Sequence, residues 1–332
     1  MELLLDKNID RTKWIAFYCK CQYSTPFNSP EYYDFINSLS GYSARAFAVI
    51  ENMEIKALAV VVLHKETGIK AFFSRRGIIY GGPLLENICS PFIDYLLDYI
   101  CKNLSKKVIY IEVRNFNDYS KLKDKYTKLG WDYLSYVNVK LNTADKNIEE
   151  IVQHMKYNRR REIRLSLEQG ASYSECKNSE ELFFLYQILN DLYKKRVKLP
   201  LPPFEFFNQM YLQKIAKVFV VEHNNIIIGG SICLYTEMKG IYTFYYCGKR
   251  NYHKKIFPTH LAVLAAIEFA VNNKIPEVDF MGAGLKDEVY GVRDYKLEFG
   301  GSLVEHGRFL KVTKPVLYKT ARIGLSLLKR VK

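Results

Sequence analysis

The sequence predicts a mixed α/β protein (α+β in its strand order) of two similar units in tandem, followed by a basic amphipathic helix. Three observations carry this: an internal repeat at a fixed offset, the same alternation of strand and helix patterns in each copy, and a terminal segment with cations and no acids. The repeat aligns 44–74, ARAFAVIENMEIKALAVVVLHKETGIKAFFS, without a gap to 216–246, AKVFVVEHNNIIIGGSICLYTEMKGIYTFYY, an offset of 172 residues. Phe47 matches Phe219, Val49 matches Val221, Asn52 matches Asn224, and Gly68-Ile69 matches Gly240-Ile241. Self-similarity of this kind marks a repeated structural unit. A chain of 332 residues has room for two domains of about 150 each.

Each copy reads strand, polar turn, apolar strand, a KET or TEMK turn, then an aromatic strand. That is an antiparallel meander with turn residues where hairpins need them. A helix pattern follows, PFIDYLLDYICKNL in the first copy and PTHLAVLAAIEFAVNN in the second. Pro91 and Pro258 stand near the helix starts, where a missing N–H costs nothing. A short apolar strand comes next, KVIYIEV or PEVDFMG, and the copies close with YTKLGWDYLSYVNVKL and DYKLEFGGSLVEHGRFL. The predicted units are 1–145 and 146–310, each a mixed, mostly antiparallel sheet flanked by helices. At the start of the second unit, Ile148, Ile151, Val152 and Met155 have helical spacing, and Gly170 suits a left-handed cap. A further helix follows Asn178, with Glu181 placed for a capping box and Leu182, Tyr186, Leu189 and Tyr193 on one face. Pro200, Pro202 and Pro203 then force an extended loop.

Composition excludes several classes. The longest apolar run, LAVLAAIEFAV, is 11 residues and contains Glu268, against the roughly 18 that a membrane span needs. No secretory pattern is legible at the N-terminus. The 7 cysteines are therefore expected as reduced thiols in the cytoplasm. The 6 histidines form no metal-ligand pattern, so no metal is expected. Of the net +14, residues 311–332 hold half, in seven Lys/Arg with no acid. At about 100° per residue, Lys319, Arg322, Lys329 and Arg330 share one arc. Val316, Leu317, Ile323, Leu325, Leu327, Leu328 and Val331 take the remainder. Two readings stand for this helix: it lies on an anionic bilayer at the inner membrane face, or it packs its apolar face on the body.

The stretch 290–301, YGVRDYKLEFGG, places Arg293 and Lys296 three apart, after the glycine turn DFMGAG and before a glycine pair. The element order around it is that of the GNAT acyltransferase fold. Two such units in a chain of this length resemble the Fem family of peptidoglycan-bridge aminoacyltransferases and its FemAB-like relatives. The resemblance covers most of the chain and is strongest in the C-terminal third. KIPEVDFMGAG looks like the family's strand ending in an aspartate–aromatic–small–glycine turn, and YKLEFGG like its aromatic–Lys–x–x–Phe–Gly motif. EEIVQHMKYNRRREIRLSLEQG, NDLYKKRVKLP and IFPTHLAVLAAIEFA resemble its basic helix, its arginine segment and its proline-started helix.

The resemblance implies roles. Lys296, after Tyr295, would lie at the reacting centre, where a cation stabilises the oxyanion formed when an amine attacks an acyl carbonyl. Glycines such as Gly282 and Gly284 would let the backbone approach a substrate closely. Arg196, Arg293, Arg159 and Arg160 would hold phosphates of a nucleotide- or lipid-linked glycan acceptor, as the planar guanidinium grips phosphate bidentately. Blander readings stand beside these. Arg159, Arg160 and Arg161 can form a solvated helix face, Lys296 can lie exposed on an amphipathic helix, and Asp279 can cap a strand end rather than act as a base. The chain departs from ordinary GNAT enzymes in lacking their glycine cradle for coenzyme A; GKRNYHKKIFP stands in its place. The first unit's KLGWDY lacks the second glycine, which implies a supporting or acceptor-binding role. The implied activity is amide formation on a cell-envelope precursor with no bound cofactor, the donor being aminoacyl-tRNA, whose phosphates suit the +14 charge. Acyl-CoA-dependent N-acylation in polysaccharide or lipid synthesis, and a non-enzymatic basic binding module, are the alternatives.

Overall fold

A computed structural model of the chain describes residues 1–64, 74–237 and 239–330, the last eight in backbone alone. The protein is α/β, with two mixed sheets flanked by helices. One compact unit comprises Met1–Tyr136 with Glu305–Lys332, and the other Val137–Val304.

The duplication holds in detail through the first hairpin. Strands Glu54–His64 and Ile226–Thr236 begin 172 residues apart and have the same length. Each is entered through a two-residue turn with both residues left-handed: Asn52 and Met53 at φ 52° and 63°, Asn224 and Asn225 at 51° and 59°. This turn type matches the twist of paired strands. The preceding strands carry a bulge at equivalent points, Val49/Ile50 and Val221/Glu222. The correspondence then ends. His64 pairs with Arg76, whereas Thr236 pairs with Gly240; the gapless match had placed Gly68 opposite His64. The KET turn and the aromatic residues after it, at 65–73, lie outside the described residues, as does Met238.

The first sheet runs Glu2–Leu5, Ser43–Glu51, Glu54–His64, Arg76–Gly81, Tyr110–Asn115, Arg308–Val312, Asp132–Leu134, with Leu84–Leu85 paired to Glu54–His64. The second runs Ser302–Val304, Tyr136–Asn142, Glu277–Leu285, Gly240–Gly248, Ile226–Thr236, Ala216–His223, Ser172–Glu175. The repeats therefore exchange their final strands. Tyr136–Asn142, which ends the first repeat, lies beside Glu277–Leu285 in the second sheet. Arg308–Val312, which ends the second, pairs with Tyr110–Asn115 and Asp132–Leu134 in the first. The units are thus not divided at 145 and 310 as the repeat suggested, because a strand's alternation records that one face is buried, not which sheet it joins. The glycine pair has its reason here. A Cβ on Gly301 would stand 2.7 Å from Val139 Cγ1 and 3.1 Å from Lys140 O, so this glycine admits the exchanged strand.

Helix Phe92–Leu104 buries Ile93, Leu96, Leu97 and Ile100 against Val61, Ile79, Ile111 and Val113 of the first sheet. In the second unit, consecutive residues of one strand meet different helices. A Cβ on Gly230 would touch Leu185 of helix Ser179–Leu192, while Ser231 Oγ donates to Ala262 O of helix Pro258–Asn272. Side chains alternate across a sheet, so these helices cover opposite faces. The expected run from Ile148 is two helices, Ile148–His154 and Tyr157–Glu168, ended by Gly170 at φ 84°. Asn178 caps its helix as expected, but Glu181 accepts from Lys177 N–H instead of closing the box. The backbone of Pro315–Arg330 is helical, and Tyr318 meets the edge of Tyr110 at 5.5 Å. The side chains of Ile323, Leu325, Leu327, Leu328, Lys329 and Arg330, and all of Val331, lie outside the described residues. Among the described residues no helix is long and apolar enough to cross a membrane.

The exchanged strand is a structural member of the first sheet, since Phe309 is buried and stacks on Tyr126 at 3.8 Å and 3°. Phe309→Ala is expected to cost about 3–5 kcal/mol, read as a lower urea midpoint. Leu303→Ala, at a half-exposed position, should stay within about 0.5 kcal/mol of the parent. Equal midpoints for the two variants would contradict the strand assignment.

Candidate active site

Strands Gly240–Gly248 and Glu277–Leu285 run parallel but pair at two positions only, Ile241 with Val278 and Tyr242 with Asp279. The corresponding parallel pair of the first unit is closed over six, from Arg76–Tyr110 to Gly81–Asn115. Beyond Asp279 the second unit's strands part, and the main chain on that edge loses its ladder. Local chemistry explains the departure. Asp279 is fully buried and its Oδ1 accepts the Met281 N–H at 2.6 Å, while Met281 and Gly284 take φ of 62° and 84°. A short carboxylate bonded two residues on takes the Met281 N–H itself, while Glu277–Leu285 continues as a strand beside Tyr136–Asn142. Burial raises the Asp279 carboxyl to about 6, against the opposing pull of Lys140. Lys140, on the exchanged strand, stands 3.8 Å from Asp279 Oδ2 and bonds Glu277 at 2.7 Å.

Lys296 sits on helix Gly291–Leu297 and is only 5% exposed, so it is not a solvated lysine of an amphipathic face. Its Nζ donates to Gly282 O at 2.8 Å and to Met281 O at 3.4 Å, on the arm that has left the ladder. Burial lowers the amine to about 8, with Asp279 opposing. An ammonium has three donors, and two carbonyls leave one.

Tyr295 faces a different set. Its ring lies parallel to Tyr246 of the opposite arm, with centroids 6.0 Å apart. Its hydroxyl meets His260 Nδ1 at 3.2 Å, and His260 Nε2 meets Glu162 Oε2 at 3.0 Å. Burial raises the phenol well above its ordinary value and, with Arg159, lowers the imidazole to about 3. Arg159 is 2% exposed, its guanidinium held 4.4 Å from the Tyr295 ring and 4.5 Å from the Phe299 ring and donating to Glu298 at 2.5 Å. Neither the solvated face nor an open phosphate grip describes it. The sequence reading missed His260 and Glu162 as partners of Tyr295. Separations of 98 and 35 residues leave no spacing signal to find.

The remaining arginines disperse. Arg293 gives its guanidinium to the carbonyls of Ala283, Leu285 and Lys286, so it clamps the end of strand Glu277–Leu285 rather than standing free in solvent. Arg160 bonds Gln153 O and, with Arg161, lines an apolar groove of about 610 Å³ beside Val152, Tyr173 and Leu264. Arg196, exposed in the turn Tyr193–Val197, lines a second groove of about 1250 Å³ with Lys249, Arg250, Glu180 and Glu222. That groove shares no lining residue with the Lys296 and Tyr295 set. The structure thus brings Lys296, Tyr295, Asp279, Gly282 and Arg159 to one place and puts Arg196 and Arg160 elsewhere.

Asp279 yields a stability prediction. A raised carboxyl contributes stability fully below its unfolded value near 4, lost as pH rises through about 6. Asn keeps the acceptor for Met281 N–H and does not titrate. The stability of wild type relative to Asp279→Asn should therefore fall by up to about 3 kcal/mol between pH 4 and 7.5. Urea midpoints measured across that range check it, and a pH-independent difference would contradict it.

Residues 205–324 match the model of the FemAB family. No curated protein sequence matches the chain. The fold is similar to that of FemX, with TM-score 0.71 at 15% identity over 96% of this chain and 99% of that one. It is similar also to L-PGS from Bacillus licheniformis (0.57, 14%, 94% and 96%). A tandem GNAT protein from the clavulanic acid biosynthesis pathway is a further likeness (0.58, 10%, 94% and 99%). The matched segment contains the parted strands, Tyr295 and Lys296, and the whole chain shares the tandem α/β fold of these structures.

Proposed function

We propose that the chain transfers an acyl group to an amine of a nucleotide- or lipid-linked cell-envelope glycan precursor, with aminoacyl-tRNA as donor. The observation that carries this reading is the buried Lys296 ammonium, bonded to Gly282 O where the parallel strands part. As the amine attacks the ester, a C–N bond forms and the carbonyl oxygen becomes an oxyanion. The third N–H of Lys296 is the donor for that oxygen, in a site where a charge-assisted bond is strong. The C–O bond then breaks and the amine's proton leaves with the released hydroxyl. Little else is needed for an activated ester beyond holding the reactants together.

Arg196, Lys249 and Arg250 suit phosphates of the acceptor or of tRNA, and the groove they line is large enough for either end of such a ligand. Acyl-CoA is the less favoured donor. In the loop before helix Pro258–Asn272, the amides next to the helix start are engaged: Lys255 N–H on His253 Nδ1, Ile256 N–H on His253 O, Phe257 N–H on Ser166 Oγ. A pyrophosphate nest needs such amides free. The first unit, whose parallel strands stay closed, is assigned a supporting role. Peripheral contact of 311–332 with the cytoplasmic membrane face belongs to the same proposal.

Incubation with lipid- and nucleotide-linked glycan precursors, charged total tRNA and an acyl-CoA pool tests the donor by acceptor mass. A gain of one amino-acid residue, lost on RNase treatment, is expected; a gain that survives RNase would move the reading to acyl-CoA. Lys296→Met should lower kcat by about 10²–10³. Because the cationic form is required, wild-type turnover should fall as pH rises through about 8, and the variant's residual turnover should lack that limb. Unchanged turnover in Lys296→Met would sink the assignment.

A further inference from the structure

We propose that Glu162 and His260 are positioning residues that turn the Tyr295 hydroxyl into a hydrogen-bond acceptor for the attacking amine, an inference that rests on the amide-forming reading above. Three elements supply the chain: Glu162 from helix Tyr157–Glu168, His260 from Pro258–Asn272 and Tyr295 from Gly291–Leu297. The contacts are 3.0 Å from Glu162 Oε2 to His260 Nε2 and 3.2 Å from His260 Nδ1 to the Tyr295 hydroxyl. Their polarity follows from the donor inventory. An ionised carboxylate only accepts, so Nε2 carries the imidazole hydrogen and donates it. A neutral ring then has only a lone pair at Nδ1, so the phenol O–H must donate to it. The hydroxyl hydrogen is directed inward, and only oxygen lone pairs remain for another partner.

The surroundings hold this arrangement. The Phe257 ring lies parallel to the imidazole at 5.3 Å and 8°, which fixes the ring plane. Burial, together with the Arg159 guanidinium that stands 3.9 Å from Glu162 Oε2 and over the Tyr295 ring, opposes a positive charge on His260. The other Tyr295 contacts, to Tyr246, Phe299 and Arg159, are made by its ring. A phenylalanine would keep every one of them, so packing alone does not account for the hydroxyl and its two partners.

A group restricted to accepting selects an N–H or O–H donor. Under the proposed reaction that donor is the nucleophilic amine, whose lone pair points at the acyl carbon when one N–H is held. Tyr295 remains a phenol throughout; the C–N bond forms, the ester C–O bond breaks, and the amine's proton goes to the released hydroxyl. Adjacent residues of one short helix would then serve both sides of the reaction, Tyr295 the amine and Lys296 the oxyanion.

Long-range ¹H–¹⁵N spectra of histidine-labelled protein read the tautomer without activity, and kcat and KM for the acceptor read the role. Wild type should show His260 protonated on Nε2 alone from pH 5 to 9. Tyr295→Phe should shift the Nδ1 resonance, retain the melting temperature, and lower kcat about 10- to 100-fold with donor KM unchanged. Glu162→Gln, able to donate or accept, should mix the tautomers and lower kcat in part. A hydrogen on Nδ1 in wild type overturns the inference, as does wild-type kcat in Tyr295→Phe. A wild type with the Nε2–H tautomer that acylates no amine overturns the reaction, and the amine's role with it, while leaving the polarity of the chain established.

Discussion

A lysine ammonium taken out of water has to be given oxygen atoms in return, and the second unit is arranged around that requirement. The oxygens come from main chain, the carbonyls of Gly282 and Met281. They are available because Asp279 bonds Met281 N–H and sends the strand out of its parallel ladder. Arg293, three residues before Lys296 and so on the same helix face, takes the carbonyls of Ala283, Leu285 and Lys286. Two cations on a seven-residue helix thus grip the end of one strand. That is why they stand together between two glycine-bearing stretches.

The exchange of final strands ties this arrangement to the duplication. The strand Tyr136–Asn142, contributed by the first repeat, carries Lys140 to Asp279 and Glu277. A buried carboxylate with a cation near each side remains ionisable near neutral pH instead of staying a neutral acid. In the first unit the equivalent position is filled by Arg308–Val312, whose Arg308 bonds Glu112 at 2.8 Å beside Arg114. There the parallel strands remain paired. At this point the two copies differ in whether the parallel pair parts.

Much of the fold was legible in the sequence. The offset of 172 residues carried through to the hairpin turns at Asn52 and Asn224 and to a shared bulge, because turn geometry and alternation are local properties. Strand partners are not local, so the exchange was invisible and the third-strand alignment was lost after His64. At the site, Lys296 and the DFMGAG turn stood out because charge and glycine are conspicuous next to an apolar strand. Burial was misjudged for Arg159, whose charge suggested solvent although two aromatic rings and Glu298 enclose it. His260 offered nothing at all to a reader of the sequence, since its partners come from helices far along the chain.

The measurement that bears most directly on the account is the titration of the Lys296 amine itself, followed by the ¹³Cε resonance of lysine-labelled protein assigned with Lys296→Met. A Lys296 midpoint near 8, below the ordinary lysine value of about 10.4, would place a desolvated ammonium where the strands part. A midpoint for Lys296 at the ordinary value would mean that the amine is solvated, and the oxyanion role built on its burial would fall.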